Sequence, residues 1–517
     1  MPLVSIFLFS LFSFCFTLYR TKETQRRMDL LAFLILSSFV AQTHGRMKEQ
    51  CSLYRYKATL LKPDFGVDTS HFKVFEHGNI ETNVYPQEGF KEKDRIARLP
   101  GQPPVNFSQY GGYVTVNQSA GRALFYYFVE AQQPNDTLPL LLWLNGGFSS
   151  LGYGAMQELG PFRVHNDSKR LHTNDFAWNH VANVLFLESP AGVGFSYSNT
   201  TADYDNTGDR STTTDNYVFL LNWLERFPKY KNRTFYISGR DYAGHHVPQL
   251  AQTILYHNKK ANKTIINLKG IIIGNAVIND ETDIKGTYDH LASHVFASDL
   301  EASQIQKYCG FSPNASRQSP ECTAAIDAVE EDIANGLDLY NIYAPICFPK
   351  GDTVQHLEAS VLEFDPCSFD YVYAYLNRPD VQEALHANVT KLTHDWDICS
   401  SFIKKWKDSP STVIPLLREL MANGLRVWIY SGDLDGTVSV TSTKYSINSM
   451  KLPVKNDWSP WAYFANVAGG YTEEYEGGLK FVTVRLAGQQ VPKDQPAKAF
   501  VMIKHFLDGT PLPLITG

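Results

Sequence analysis

Charge is scarce in this chain: Asp, Glu, Lys and Arg supply 19% of 517 residues, and the formal net charge is only -6. No dense Lys/Arg block is present, so nothing marks a nucleic-acid partner or an anionic membrane surface. Long apolar runs are missing too. The two at residues 3–18 and 30–41 fall short of the roughly 20 residues that cross a bilayer. Cysteine is sparse, seven in all, and no pair has metal-like C-x-x-C spacing. There is no internal repeat or low-complexity stretch. The sequence calls for neither a metal nor a cofactor.

What is present is apolar and aromatic residue, at 44% and 13% of the chain, which suits a large core and argues against long disordered stretches. At the N-terminus, Arg26 and Arg27 precede the 30–41 run, and small or polar residues follow up to Gly45. This is the anatomy of a secretory signal, with Met28 as an alternative start. Nine N-x-S/T sequons follow, at Asn106, Asn117, Asn135, Asn166, Asn199, Asn232, Asn262, Asn314 and Asn388. Together they predict an endomembrane route, secreted or vacuolar, with glycans on exposed loops and no membrane attachment after signal cleavage. Apart from Cys15 in the leader, the cysteines are Cys51, Cys309, Cys322, Cys347, Cys367 and Cys399. In that compartment disulfides are their natural reading.

Beyond the leader (1–45) and a polar, irregular segment (46–94), periodicity becomes clear. Residues 113–116 and 124–129 read as two strands of a hairpin. Residues 138–144 form a continuous apolar run, the pattern of a strand buried on both faces. Similar runs follow at 184–187, 235–238, 268–273, 426–430 and 481–485, with helical patterns such as 215–226 and 247–257 between them. Alternating strands and helices predict an α/β fold with a mostly parallel sheet covered on both faces. The core occupies 95–282 and 371–517. It is interrupted by 283–370, a polar, helical, cysteine-bearing insertion read as a cap.

The most informative stretch is Gly239-Arg240-Asp241-Tyr242-Ala243-Gly244, between a predicted strand and a predicted helix. Small residues at 239 and 243 are what a sharp strand-to-helix turn requires, because larger side chains would strike the neighbouring backbone. In form this is a nucleophile elbow. Its central residue, however, is Asp241 where acyl-transfer enzymes on such folds carry Ser.

Four long motifs share the elbow's context. They are Trp143-Leu144-Asn145-Gly146-Gly147, Glu188-Ser189-Pro190-Ala191-Gly192-Val193-Gly194-Phe195-Ser196-Tyr197, Tyr242-Ala243-Gly244-His245-His246-Val247-Pro248, and Tyr430-Ser431-Gly432-Asp433-Leu434-Asp435-Gly436. Through them, residues 95–514 resemble the plant-type serine carboxypeptidases. The resemblance implies an α/β-hydrolase fold, a Ser, Asp, His triad in that order, and release of C-terminal residues from peptides. Some relatives use the same site for acyl transfer.

Carried over residue by residue, the triad is broken twice. Asp241 stands at the nucleophile, Gln489 at the base, and only the acid, Asp435, is retained. An amide at 489 cannot take a proton at ordinary pH, so neither nucleophile activation nor leaving-group protonation has an agent. A carboxylate at 241 would lie about 4 Å from a developing oxyanion, a repulsion on the order of 4 kcal/mol at an effective dielectric of 20. Loss of either the nucleophile or the base costs roughly a millionfold in a comparable triad.

The same resemblance assigns the oxyanion donors to the amides of Gly147 and Tyr242. The loop Asn145-Gly146-Gly147-Phe148-Ser149-Ser150 is two residues shorter than in relatives and lacks their cysteine. Family spacing pairs Cys309 with Cys322 and Cys347 with Cys367, and leaves Cys399 without its usual partner; whether Cys51 reaches it is open. Substrate carboxylate binding falls to Asn145 and to position 240, where Arg replaces Glu, with Gln157 and Glu158 near a further family carboxylate. Arg240 either attracts a carboxylate or neutralises the neighbouring Asp241, and the second is favoured. Asp435, with its catalytic partner gone, reads as a turn cap or an ion-pair partner. At least one of His245 and His246 reads as a packing residue, and the pair does not read as a metal site, since adjacent helix positions do not face one way.

Three functions follow from these residues. The favoured one is a non-catalytic homologue binding a peptide or protein C-terminus, or a partner, in the old cleft. The second is single-turnover chemistry with Asp241 as nucleophile, stalled because Gln489 cannot activate the water that would release the ester. The third is residual carboxypeptidase or other hydrolase activity.

Overall fold

The computed structural model describes residues 82–132, 137–146, 149–312, 318–333, 336–347, 365–388 and 394–515. The leader, Cys51, Asn135, Asn314, Gly147 and Phe148 lie outside the described residues. Among the described residues there are fourteen strands: β1 (Arg95–Ile96), β2 (Gln109–Asn117), β3 (Arg122–Val129), β4 (Leu140–Asn145), β5 (Phe162–Val164), β6 (Leu171–Thr173), β7 (Asn183–Leu187), β8 (Tyr197–Ser198), β9 (Phe235–Asp241), β10 (Leu268–Ala276), β11 (Arg426–Gly432), β12 (Val454–Phe464), β13 (Val467–Tyr475) and β14 (Leu479–Val484). All but β5 and β6 join one sheet, in the order β1-β2-β3-β7-β4-β9-β10-β11-β14-β13-β12, with β8 beside β3. The stretch from β7 to β14 is parallel, and both wings are antiparallel.

The apolar runs explain the parallel centre. Every residue of β4, β7 and β9 is buried, as a strand covered on both faces requires. Helices Asp209–Arg226 and Ala243–Lys260 pack here, and their apolar sides join one core with the sheet through Trp223, Phe219, Leu250 and Ile254. Trp223 meets Phe128 edge-on at 5.0 Å between ring centroids. The predicted strands are present, mostly longer than expected, but the β12–β13 hairpin was not anticipated. Its exposed, charged first half and its Pro460 hide a strand whose outer half faces solvent.

Over 280–333, the described helices Asp280–Ser293, Asp299–Tyr308 and Pro320–Ile333 enclose a separate apolar cluster that includes Leu291, Ile305 and Val329. Ser298 and Glu301 form a reciprocal cap at the start of the second helix. The disulfides are Cys309–Cys322 and Cys347–Cys367, and Cys399 is also disulfide-bonded.

Strands β4, β9 and β11 end on the same edge of the sheet. Parallel strands deliver their carboxyl ends to one side, and this brings Asn145, Asp241 and the turn holding Asp435 together, joined by Gln489 from the segment after β14.

Candidate active site

The elbow forms as its sequence demands. Asp241 ends β9 at φ 59°, a left-handed conformation that a non-glycine residue adopts under constraint. The helix Ala243–Lys260 begins two residues later. A Cβ at Gly239 would lie 2.6 Å from the Leu144 carbonyl oxygen, and one at Gly146 would lie 2.3 Å from the Tyr242 nitrogen. No side chain fits at either position, so the loop after β4 sits directly against the elbow. Asp241 is fully buried.

Gln489 is held at both ends of its amide. Its Oε1 accepts from Arg240 Nη1 at 2.6 Å, and its Nε2 donates to Thr437 Oγ1 at 2.9 Å. Thr437 in turn donates its hydroxyl (2.6 Å) and its backbone N–H (2.8 Å) to Asp435 Oδ1, while Asn275 donates to Oδ2 at 2.9 Å. Asp435 thus closes its own turn, and Thr437 links it to Gln489. Burial pushes its carboxyl up to about 6, against the hydrogen bonds from Thr437 and Asn275. Asp494 anchors the loop before Gln489 by accepting from Gly488 N at 2.7 Å and Asn341 at 3.0 Å. Its carboxyl is also pushed up to about 6 by burial.

Arg240 makes an ion pair that the sequence did not assign to it, with Glu158. Its Nε lies 2.9 Å from Glu158 Oε1, both side chains are buried, and its guanidinium stacks 4.9 Å from the centre of the Tyr153 ring. The ion pair is therefore made with Glu158, which the π-helical segment Ser150–Glu158 carries to it. Burial works against the guanidinium charge, but Glu158 and then Asp241 outweigh it and hold Arg240 above its ordinary pKa. Around this pair, Asn145 Nδ2, the Gln157 amide, Glu158 Oε2 and the Tyr430 hydroxyl are buried without a hydrogen-bond partner among the described residues.

His245 and His246 are buried under the elbow. His245 stacks on Tyr242 at 4.8 Å and sits 3.3 Å from Asp209 Oδ2. Asp209 also accepts from Tyr242 (2.8 Å), Trp406 (2.8 Å) and Gln249 (2.7 Å). Burial opposes the Asp209 charge, yet His245, His246 and Gln249 keep its carboxyl well below the usual range. Burial pushes His246 down to about 4. Among the described residues, no group of three or more His, Cys, Asp or Glu could hold a metal.

Residues 100–509 match the family model for serine carboxypeptidases. The chain belongs to the serine carboxypeptidase family. Serine carboxypeptidase-like 40 of Arabidopsis thaliana is 57% identical over 453 residues, covering 86% of this chain and 89% of that protein. Serine carboxypeptidase 24 of the same plant is 49% identical over 439 residues, covering 82% and 94%. A prohormone-processing carboxypeptidase of Saccharomyces cerevisiae, Kex1, superposes with a TM-score of 0.70 at 22% identity, covering 82% of this chain and 97% of that one. The fold is that of the α/β hydrolases. Within this serine carboxypeptidase-like chain the strand-to-helix turn read at 239–244 is present, with Asp241 at its left-handed position and Gln489 two side chains away through Thr437 from Asp435. The sequence missed Thr437 and Asn275, although the Asp435-Gly436-Thr437 turn carried a signal for the first, since an Asp oxygen accepting from the residue two ahead is a common turn.

Proposed function

We propose that this chain is a non-catalytic serine carboxypeptidase-like protein of the secretory pathway, secreted or vacuolar, that binds a peptide or protein C-terminus in the inherited cleft. One observation carries the loss of catalysis: both ends of the Gln489 amide are occupied, by Arg240 and by Thr437. A hydrolase needs a group there that accepts a proton and later returns it. The described chain offers an amide that does neither, beside a carboxylate with no hydroxyl to activate.

Retained polar chemistry supports binding. Asn145 Nδ2, the Gln157 amide and Glu158 Oε2 are sequestered from water with no hydrogen-bond partner among the described residues, and such groups gain most from a polar ligand that satisfies them. The secretory reading rests on the disulfides and on the sequons, of which Asn106, Asn166, Asn199, Asn232 and Asn262 are exposed. Among the described residues no helix is long and apolar enough to cross a membrane.

The test is direct. Purified mature protein, incubated with blocked dipeptides at acid pH, should release no free amino acid, and a serine-directed fluorophosphonate should leave the elbow unlabelled. Steady release of amino acid would overturn the reading in favour of residual carboxypeptidase activity. A stable adduct on Asp241 after exposure to an alkyl electrophile would favour single-turnover chemistry instead.

A further inference from the structure

One row of residues across the sheet decides which end group the cleft can hold. Asn145 of β4, Arg240 of β9, Gly274 of β10 and Tyr430 of β11 stand side by side in the strand register. Neighbours across a parallel ladder present their side chains to the same face. Gly274 leaves room for the Tyr430 ring, since a Cβ there would lie 2.0 Å from Tyr430 Cζ. Asn145 is the last residue of β4, and Arg240 stands one short of Asp241 at the end of β9, so the row lies at the carboxyl edge of the sheet. The segment Ser150–Glu158 completes it by pairing Glu158 with Arg240.

The unmet hydrogen-bonding atoms of this cluster are of different kinds. Trp143 Nε1 donates to Asn145 Oδ1 at 2.5 Å, which fixes the way the Asn145 amide turns and leaves Nδ2 without a partner among the described residues. Glu158 places Oε1 on Arg240 Nε at 2.9 Å, and its Oε2 has no partner there either. Nor has the Tyr430 hydroxyl. Burial raises the pKa of that hydroxyl, with Glu158 and Arg240 acting on it in opposite directions. Asn145 is 2% exposed, and Glu158 and Tyr430 1% each, so bulk water does not serve these atoms. The cluster thus holds one atom that only donates, one carboxylate oxygen that only accepts, and one phenol that does either.

A carboxylate end group offers acceptors alone. It would satisfy Asn145 Nδ2 but set a second anion against Glu158 Oε2. Arg240, the cation that could draw it in, already donates from Nε to Glu158 and from Nη1 to Gln489, and it faces two carboxylates, Glu158 and Asp241. A primary amide has the same planar outline and both kinds of atom. Its carbonyl can accept from Asn145 Nδ2 while its NH2 donates to Glu158 Oε2. We propose that the cleft takes an uncharged C-terminal carboxamide, the end of an amidated peptide, in preference to a free C-terminal carboxylate, and that Asn145 and Glu158 read the difference. This rests on the peptide-binding reading above and goes beyond it in naming the end group.

Calorimetric titration of the purified mature glycoprotein near pH 7, where a free C-terminus is ionised, tests both steps. The probes are matched N-acetyl dipeptides ending in each of the common amino acids, made as the acid and as the amide. In every pair that binds, the amide should bind about tenfold or more tighter, because the acid leaves a buried charged acceptor unmet. Acids that bind as tightly as their amides overturn this inference and leave peptide binding standing. No binding in either series overturns both. The double variant Arg240→Met with Glu158→Gln removes both charges together and lets residue 158 donate as well as accept, so the preference for the amide should shrink about tenfold. A cooperatively folded double variant that keeps the parent's preference would show that Glu158 does not read the end group, and the assignment would fall.

Discussion

Arg240 donates from Nη1 to the side-chain oxygen of Gln489 at 2.6 Å, so the residue that precedes Asp241 in the elbow holds the residue from the segment after β14. The same guanidinium is paired with Glu158, and Gln489 passes the connection through Thr437 to Asp435. Five buried side chains, Glu158, Arg240, Gln489, Thr437 and Asp435, thus form one continuous polar chain.

This linkage predicts that restoring the triad alone will fail. With Asp241→Ser and Gln489→His, Arg240 would donate to the imidazole nitrogen whose lone pair must take the serine proton, and a fixed cation beside the ring would disfavour its protonated form. The double variant is expected to release amino acid from blocked dipeptides at background rate. Adding Arg240→Glu removes the competing donor, and the triple variant should exceed the double one. Equal rates for the two would mean that Arg240 does not restrain position 489.

The Arg240–Glu158 pair should behave as a buried ion pair. Arg240→Met or Glu158→Gln alone strands a charge in the core and is expected to destabilise the fold by about 3–5 kcal/mol. The double variant should recover most of that loss, since replacing both charges removes the desolvation cost along with the attraction. Denaturant unfolding of the four proteins gives the coupling energy. Additive effects would place the two charges in separate environments.

Much of this arrangement was legible in the sequence, and the reason differs for each part. The central strands announced themselves because burial on both faces leaves uninterrupted apolar runs, as in β4 and β7. The elbow was legible because Gly239 and Ala243 are steric requirements, readable without a partner. The β12–β13 hairpin was not, because an edge strand half in water, with Lys455, Asp457 and Pro460, has no such run. Arg240 was assigned to its neighbour Asp241, since sequence proximity was the only geometry available. The further partner, Glu158, lies 82 residues away and arrives on the π-helical segment Ser150–Glu158.

Asp435 should now matter for stability rather than rate. It accepts three hydrogen bonds, from Thr437 N, Thr437 Oγ1 and Asn275 Nδ2. In Asp435→Asn one oxygen becomes an NH2 group that faces a donor whichever way the amide turns. The cost of leaving such a buried donor unsatisfied is about 1–3 kcal/mol. A matching drop in the unfolding midpoint is expected, and an unchanged midpoint would show that Thr437 and Asn275 find other acceptors.

Asp283 sets a pH dependence whose sign can be worked out. Its carboxylate oxygens accept from Ile278 N (2.7 Å), Asn279 N (3.0 Å) and Ser446 Oγ (3.1 Å), yet burial pushes its carboxyl up to about 7 from an ordinary 3.8. Between those values the folded chain binds more protons than the unfolded one, so this group's contribution to stability falls as pH rises and levels off above about 7. Asp283→Asn removes the titration while keeping the geometry: its oxygen still accepts from the two backbone amides, and its NH2 can donate to Ser446. The variant should match the parent near pH 4 and exceed it at pH 8. Burial holds His246 and His290 near 4, which gives the opposite slope, but both are common to the two proteins and cancel in the difference. Unfolding midpoints of parent and variant across this range decide the point, and a constant difference at every pH would mean that Asp283 is ionised in the folded chain throughout.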